Sequence, residues 1–187
     1  MSSLVNSESR ALGQFEIGPL AYGLWRYTTN DLGEAQRLLE TALAAGMNLI
    51  DNADVYGLDY GGAGFGANEE LLGRVLAIAP QLRDRMVLAT KGGIIPPIPY
   101  DSGISYIAQA CEASLRRLQV DTIDLYQIHR PDLFSHPADT AAALVKLRES
   151  GKIREVGVSN FTVAQYDALL AHLPFPIVSN QPQFSAA

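Results

Sequence analysis

The chain has 187 residues, of which 48% are apolar and 18% charged, and this balance predicts a single globular domain with a sizeable core. Its formal net charge is −6 and it has no basic run, which argues against nucleic acid as a partner because neutralising phosphates requires clustered Lys and Arg. Cys111 is the only cysteine, so neither an internal disulfide nor a cysteine metal cluster is expected.

The first half of the chain alternates between short apolar runs and stretches with helical spacing. Asp31 is predicted to begin the first helix, with Glu34 three residues later completing a capping box. In chain order, the predicted elements are a strand at 20–25, a helix from Asp31 to Gly46, a strand at 47–50, a glycine-rich loop at 57–68, a helix capped by Asn68 and a strand at 86–90.

The second half repeats the alternation after a proline-rich loop. Pro137 suits the first turn of a helix, and Thr162 with Gln165 predicts a second capping box. The elements that follow are a helix carrying Ile107, Cys111, Leu115 and Leu118, a strand at 123–128, a helix from Pro137 to Gly151, a strand at 154–158, a helix after Thr162 and a strand at 176–180.

The strands are short apolar runs, which is typical of a parallel sheet covered on both faces. Two architectures fit this pattern, an open doubly wound sheet and a (β/α)8 barrel. An open sheet should carry G-x-G-x-x-G after its first strand, but residues 26–31 (RYTTND) contain no glycine. The glycines at 61–66 (GGAGFG) have the wrong spacing and predict a flexible surface loop over a site rather than a phosphate cradle. The pattern therefore favours the α/β barrel.

Polar groups follow the predicted strands, at the end where barrels place their catalytic residues. Each has a local explanation, as a turn former, a solvated lysine, a loop histidine or a helix cap, but together at one rim they indicate a site. Tyr56 lies five residues after Asp51, the first of these polar groups. The strand ends carry Asp51, Lys91, His129, Ser159 with Asn160, and Asn180 with Gln181.

The chemistry of this set indicates carbonyl reduction. A phenol has an ordinary pKa of about 10, and a nearby ammonium such as Lys91 favours the phenolate and so eases proton donation by Tyr56. Asp51 would keep Lys91 charged, and His129 could donate a hydrogen bond to a substrate carbonyl. The hydroxyl and amide groups of Ser159, Asn160 and Gln181 suit a carboxamide, and nicotinamide carries one.

Five segments in register resemble the successive signatures of the aldo-keto reductase family: NLIDNADVYG, VLATKGG, DLYQIHRPD, SGKIREVGVSNF and SNQPQFS, within residues 20–185. The resemblance implies a (β/α)8 barrel that reduces aldehydes and ketones with NADPH, less often NADH, and without a metal. It implies Tyr56 as the proton donor, tuned by Asp51 and Lys91, with His129 positioning the carbonyl. It further implies that Trp25 lines the substrate pocket and that the cofactor contacts are Gly23, Leu24, Asp51, Ser159, Asn160 and Gln181.

The sequence stops after the predicted sixth strand, whereas such a barrel typically has about 250 residues. Unpaired edges at the first and sixth strands would favour self-association or a complementing fragment. Two other functions therefore stay open: a catalytically silent binding protein that acts through an open edge, and a lyase that forms a Schiff base on Lys91. No secretory signal or membrane span is recognisable, so we expect a cytoplasmic protein.

Overall fold

Six parallel strands form one curved sheet with helices packed on its outer face. The computed structural model describes residues 8–97 and 100–183. The sheet order follows the chain order, β3-β4-β5-β6-β7-β8, and a separate antiparallel hairpin, β1–β2, precedes it. The elements are β1 Arg10–Leu12, β2 Phe15–Ile17, β3 Tyr22–Gly23, α1 Leu32–Ala44, β4 Leu49–Asp51, α2 Ala67–Ile78, a 3-10 helix Pro80–Arg85, β5 Val87–Gly92, α3 Ile104–Leu118, β6 Ile123–Ile128, α4 Pro137–Glu149, β7 Ile153–Ser159, α5 Val163–Leu170 and β8 Ser179–Gln181.

Two apolar layers hold the sheet. The larger lies between the sheet and the helices and includes fully buried Leu39, Leu72 and Leu144. The smaller lies on the concave face, where Val87, Ala89 and Leu125 pack together with Leu12 from the hairpin. All positions of β5 and β6 are buried, as expected for central parallel strands covered on both faces. The succession of βα units confirms the prediction of an α/β barrel fold, seen here as a curved partial barrel.

The helix starts agree with the sequence predictions except at two positions. The Asp31 side chain accepts from the backbone N–H groups of Gly33 and Glu34, but Glu34 accepts from Thr29 and does not complete a capping box. The capping box of Thr162 and Gln165 is present. Pro137 occupies the first turn of α4.

The prediction that Asn68 caps α2 is wrong. Gly66, with φ 83°, precedes the helix, and Asn68 lies inside its first turn with its side chain buried. A glycine adopts this left-handed conformation without steric cost, which allows the chain to enter the helix two residues earlier than predicted.

The first predicted strand is shorter in the structure, and the sixth is shifted towards the C-terminus. The first covers Tyr22–Gly23 instead of 20–25, and the sixth covers Ser179–Gln181 instead of 176–180. Pro174 and Pro176 lack backbone N–H donors, so the hydrogen bonds of the sixth strand begin only after these residues. The β1–β2 hairpin was not predicted at all. None of the helices in the described part of the chain is both long and apolar enough to cross a bilayer.

Candidate active site

The carboxyl ends of β4, β5 and β6 bring four predicted site residues together. Side chains alternate between the two faces of a strand, so Asp51 on β4 and Lys91 on β5 both project to the concave side. Lys91 Nζ donates to Asp51 Oδ2 at 2.7 Å, to the Tyr56 hydroxyl oxygen at 3.2 Å and to the Asn52 carbonyl at 2.9 Å. His129, directly after β6, makes an edge contact with the Tyr56 ring at 5.7 Å between centroids. The structure therefore assembles Asp51, Tyr56, Lys91 and His129.

Lys91 is a buried ammonium with three acceptors. Its burial lowers the pKa, but the carboxylate of Asp51 and the phenol of Tyr56 outweigh that effect, and the net pKa shift is upward. The amine is thus charged at neutral pH, whereas a Schiff-base lysine must be neutral to attack a carbonyl. Because Nζ donates to the phenol oxygen, the phenol hydrogen remains available to an acceptor in the cleft.

His129 is held in its neutral form. Burial lowers its pKa to about 3, and the charges of Lys91 and Arg130 act in the same direction. Its Nδ1 atom is buried and has no hydrogen-bond partner among the described residues. A neutral imidazole has one N–H donor, which suits hydrogen bonding to a carbonyl oxygen without carrying a charge into the site.

A cleft of about 800 Å³ opens in front of these residues. Trp25 lines it, with its side chain 47% exposed and its ring stacked on that of Tyr56 at 6.2 Å. Leu24 is fully buried in the core, its N–H donates to Asp51 O, and its carbonyl accepts from Asn68, so it presents no free group to the cleft. At Gly23 a Cβ would meet no atom within 4 Å, which leaves an open surface there.

The predicted carboxamide contacts Ser159, Asn160 and Gln181 also line this cleft. Ser159 Oγ donates to the Gln181 carbonyl at 3.0 Å, and Asn160 Nδ2 donates to Ser159 Oγ at 2.9 Å. The Gln181 amide donates to Asp51 Oδ2 at 3.1 Å, so one of its N–H groups is bound to that carboxylate. The second N–H of Asn160, the Ser159 oxygen and the Gln181 side-chain oxygen match the donors and acceptors of a nicotinamide carboxamide.

Two further residues organise the site, although sequence reasoning did not assign them to it. Gln127 on β6 donates to Asp51 Oδ1 at 3.1 Å. The Asn68 side chain donates to Leu24 O at 2.7 Å and more weakly to Trp25 O at 3.3 Å. A polar residue within the apolar strand IDLYQI was the available signal for Gln127, since buried polar groups need a partner.

The glycine-rich loop between Tyr56 and α2 is folded closely against itself. Gly64 N–H donates to Gly57 O at 2.9 Å, and a Cβ at Gly57 would stand 2.4 Å from Gly64 O. Gly57 also has φ 109°, which disfavours any side chain there. This close approach brings the loop back so that Asn68 N–H reaches Tyr56 O at 3.4 Å. The loop thus anchors the tyrosine.

Comparison with known proteins gives a family match over most of the chain. The model of the aldo/keto reductase family matches residues 19–187. A 6-dehydroglucose reductase from Novosphingobium aromaticivorans is 50% identical over 171 residues, covering 90% of this chain and 56% of the relative. The chain therefore spans a little over half the length of that curated relative.

Solved structures give the same result. A glycerol dehydrogenase from Gluconobacter oxydans superposes with a TM-score of 0.80 at 35% identity, over 95% of this chain and 55% of that one. An aldo-keto reductase from Bacillus halodurans, in its holo form, superposes with a TM-score of 0.79 at 30% identity, over 96% of this chain and 58% of that one.

Proposed function

The chain belongs to the aldo/keto reductase family, and from this premise we propose that it carries the catalytic part of a nicotinamide-dependent carbonyl reductase. The observation that supports this most directly is the buried ammonium of Lys91, which joins Asp51 at 2.7 Å to the Tyr56 phenol at 3.2 Å. That arrangement prepares a phenol to give up a proton beside an open cleft.

In the proposed reaction Tyr56 donates its proton to the carbonyl oxygen of an aldehyde or ketone. His129, neutral at working pH, donates a hydrogen bond to the same oxygen and orients it. Lys91 stabilises the phenolate that remains, and Asp51 keeps Lys91 charged and oriented. NADPH, or less often NADH, would supply a hydride for the carbonyl carbon when bound. Ser159, Asn160 and Gln181 would hold its carboxamide.

For the substrate we propose a small polyhydroxylated aldehyde. Two relatives are named for sugar or polyol chemistry, a 6-dehydroglucose reductase and a glycerol dehydrogenase. The outer part of the cleft also has the groups that hydroxyls need, since Asp59, Arg130 and Gln183 all line it. Carboxylate, guanidinium and amide groups can accept from or donate to several hydroxyls of one substrate.

The test compares Tyr56→Phe with Tyr60→Phe. Both changes remove one hydroxyl beside the cleft, but the Tyr60 ring contacts Trp25 edge-on at 5.2 Å and does not reach Lys91. Consumption of NADPH with glyceraldehyde should be abolished in Tyr56→Phe and retained in Tyr60→Phe. Quenching of Trp25 fluorescence by NADPH should be the same in Tyr56→Phe and the wild-type chain.

Full activity in Tyr56→Phe would show that another group donates the proton. A folded wild-type chain whose Trp25 fluorescence does not respond to NADPH would contradict the proposal that this chain forms the cofactor site. Reduction by both variants at the wild-type rate would assign the activity to a different part of the cleft.

A further inference from the structure

An amide side chain lies in the interior of the partial barrel, beside the catalytic carboxylate. Gln127 is only 3% exposed, and its nearest neighbour on the same strand face is the apolar Leu125. In the strand register it pairs with Lys91 on β5 and with Gly157 on β7. Its Nε2 donates to Asp51 Oδ1 at 3.1 Å. Burying an amide is costly without a partner, so the Asp51 bond is what offsets the burial.

The neighbouring strand leaves room for this side chain. A Cβ on Gly157 would stand 3.0 Å from Gln127 Cγ and 2.3 Å from Ser179 Oγ. The distance to Ser179 Oγ is too short for a real side chain and the distance to Gln127 Cγ is tight, so the glycine at this register position gives Gln127 room on the inner face. The position of the Gln127 amide therefore depends on Asp51 of β4, which accepts its hydrogen bond, and on Gly157 of β7, which leaves it room.

Asp51 receives donors on both of its oxygens. Lys91 and Gln181 donate to Oδ2 at 2.7 and 3.1 Å, while Gln127 alone among the described residues donates to Oδ1. A carboxylate held at both oxygens cannot rotate about its last torsion without losing bonds. Gln127 thus helps to fix the orientation of the carboxylate plane, with one oxygen towards the amide and the other towards Lys91.

The amide also acts on the charge of the site. Its N–H dipole points its positive end at Asp51, which offsets part of the negative potential that the carboxylate exerts on Tyr56. The ionisable groups near this cluster include Lys91 from β5, Tyr56 and Asp54 from the loop after β4, and His129 with Arg130 from the end of β6. None of these groups donates to Oδ1 of Asp51 in the described part of the chain, where the Gln127 amide is the donor.

We propose that Gln127 is a positioning residue that sets the proton-donor strength of Tyr56 through Asp51 and Lys91. It touches neither substrate nor cofactor in this role. The inference rests on the proposed function for its kinetic consequence, but its effect on the Tyr56 phenol exists whether or not the chain turns over a substrate.

The first test is Gln127→Met, which removes the donor at nearly constant volume, with Leu125→Met as the matched control on the same strand face. Without the amide, the potential at Tyr56 becomes more negative and the phenolate is disfavoured. We expect kcat with glyceraldehyde to fall by about tenfold, the scale of one hydrogen bond to a charged group, with little change in KM. The alkaline fall in kcat/KM should move to higher pH in Gln127→Met only.

The second readout does not require activity. The ring ¹³Cζ resonance of Tyr56, assigned by its loss in Tyr56→Phe, should titrate at higher pH in Gln127→Met than in the wild type or Leu125→Met. If the wild type reduces no aldehyde but this titration still moves, the proposed function fails and the role of Gln127 stands. A well-folded Gln127→Met with unchanged titration and an unchanged pH profile would overturn the inference.

Gln127→Glu provides a variant that separates positioning from packing. When protonated, the new carboxyl can donate to Asp51 as the amide does, so behaviour close to wild type is expected at low pH. As the pH rises and Glu ionises beside Asp51, the donor is lost and kcat should collapse well before the wild-type alkaline limb. The Tyr56 titration should move to higher pH than in Gln127→Met. A pH-independent loss of activity with no change in that titration would indicate only a packing role and would refute the proposal.

Discussion

Lys91→Met should destabilise the folded chain strongly, because it leaves the Asp51 carboxylate buried without its cation. The side chains of Lys91 and Asp51 are 1% and 8% exposed and their charged atoms are 2.7 Å apart. At an effective dielectric constant of about 20, Coulomb attraction at that separation is roughly 6 kcal/mol. Desolvation offsets part of it, and removal of one partner from a buried pair usually costs about 3–5 kcal/mol.

The assay is urea unfolding followed by far-ultraviolet circular dichroism, with Lys152→Met as the matched control. Lys152 pairs with Glu112 on the surface, where the side chains are 36% and 40% exposed, so the same substitution should cost at most about 1 kcal/mol there. Asp51→Asn combined with Lys91→Met should cost less than the sum of the single changes, since no unpaired charge remains. A Lys91→Met loss no larger than that of Lys152→Met would refute the reasoning.

The same pair predicts a pH dependence with a definite sign. The folded pKa of Lys91 is raised above its ordinary value of about 10.4, so its stabilising contribution is complete below that pH. The contribution is lost as the pH rises through the folded value. The free-energy difference between the wild type and Lys91→Met should therefore be constant near neutral pH and shrink in strong alkali. A difference that instead grows with pH would contradict the assignment of Lys91 as a buried ammonium.

Two further predictions concern His129 and Asn68. The pKa of His129 is lowered to about 3 in the folded state, so the wild type should lose stability relative to His129→Gln as the pH falls from about 6.5, by at most about 1.4 kcal/mol per pH unit. Urea midpoints measured across that range test this, and parallel curves for the two proteins would contradict the buried neutral imidazole. Asn68→Leu should cost about 1–3 kcal/mol, because it leaves the buried Leu24 carbonyl without its donor, and should alter Trp25 emission in the folded state. Unchanged stability and emission would show that Asn68 does not hold the segment that carries Trp25.

Much of the fold follows from local patterns in the sequence. The apolar run IDLYQI predicts a strand at 123–128, and the structure has β6 at those residues because a central strand is covered on both faces. The Asp31 cap and the Thr162–Gln165 capping box are local signals that need no tertiary contact. Where local signals were weak, predictions failed. The β1–β2 hairpin has only three residues per strand, and it is held by burial of Leu12 against the concave face.

The candidate site likewise contains residues that local sequence patterns predict and contacts that they do not predict. Asp51, Lys91 and His129 were predicted from sequence to lie together because polar residues at strand ends are conspicuous, and parallel strands place those ends at one rim. Gln127 lies within a strand, 76 positions from Asp51 in the chain, and Gln181 is 130 positions from it. Sequence spacing carries no information on which oxygen of Asp51 each amide reaches.

By itself, the sequence determined the order of the elements and the residue types that reach the rim, since both depend on neighbours within a few positions. Only the tertiary structure decided which residues of neighbouring strands lie beside one another. The register that sets Lys91 beside Gln127, and Gln127 beside Gly157, arises from strand-to-strand hydrogen bonds between distant segments. The role proposed for Tyr56 depends on its distance of 3.2 Å from Lys91, because electrostatic interactions between buried groups are set by separation and burial rather than by position in the chain.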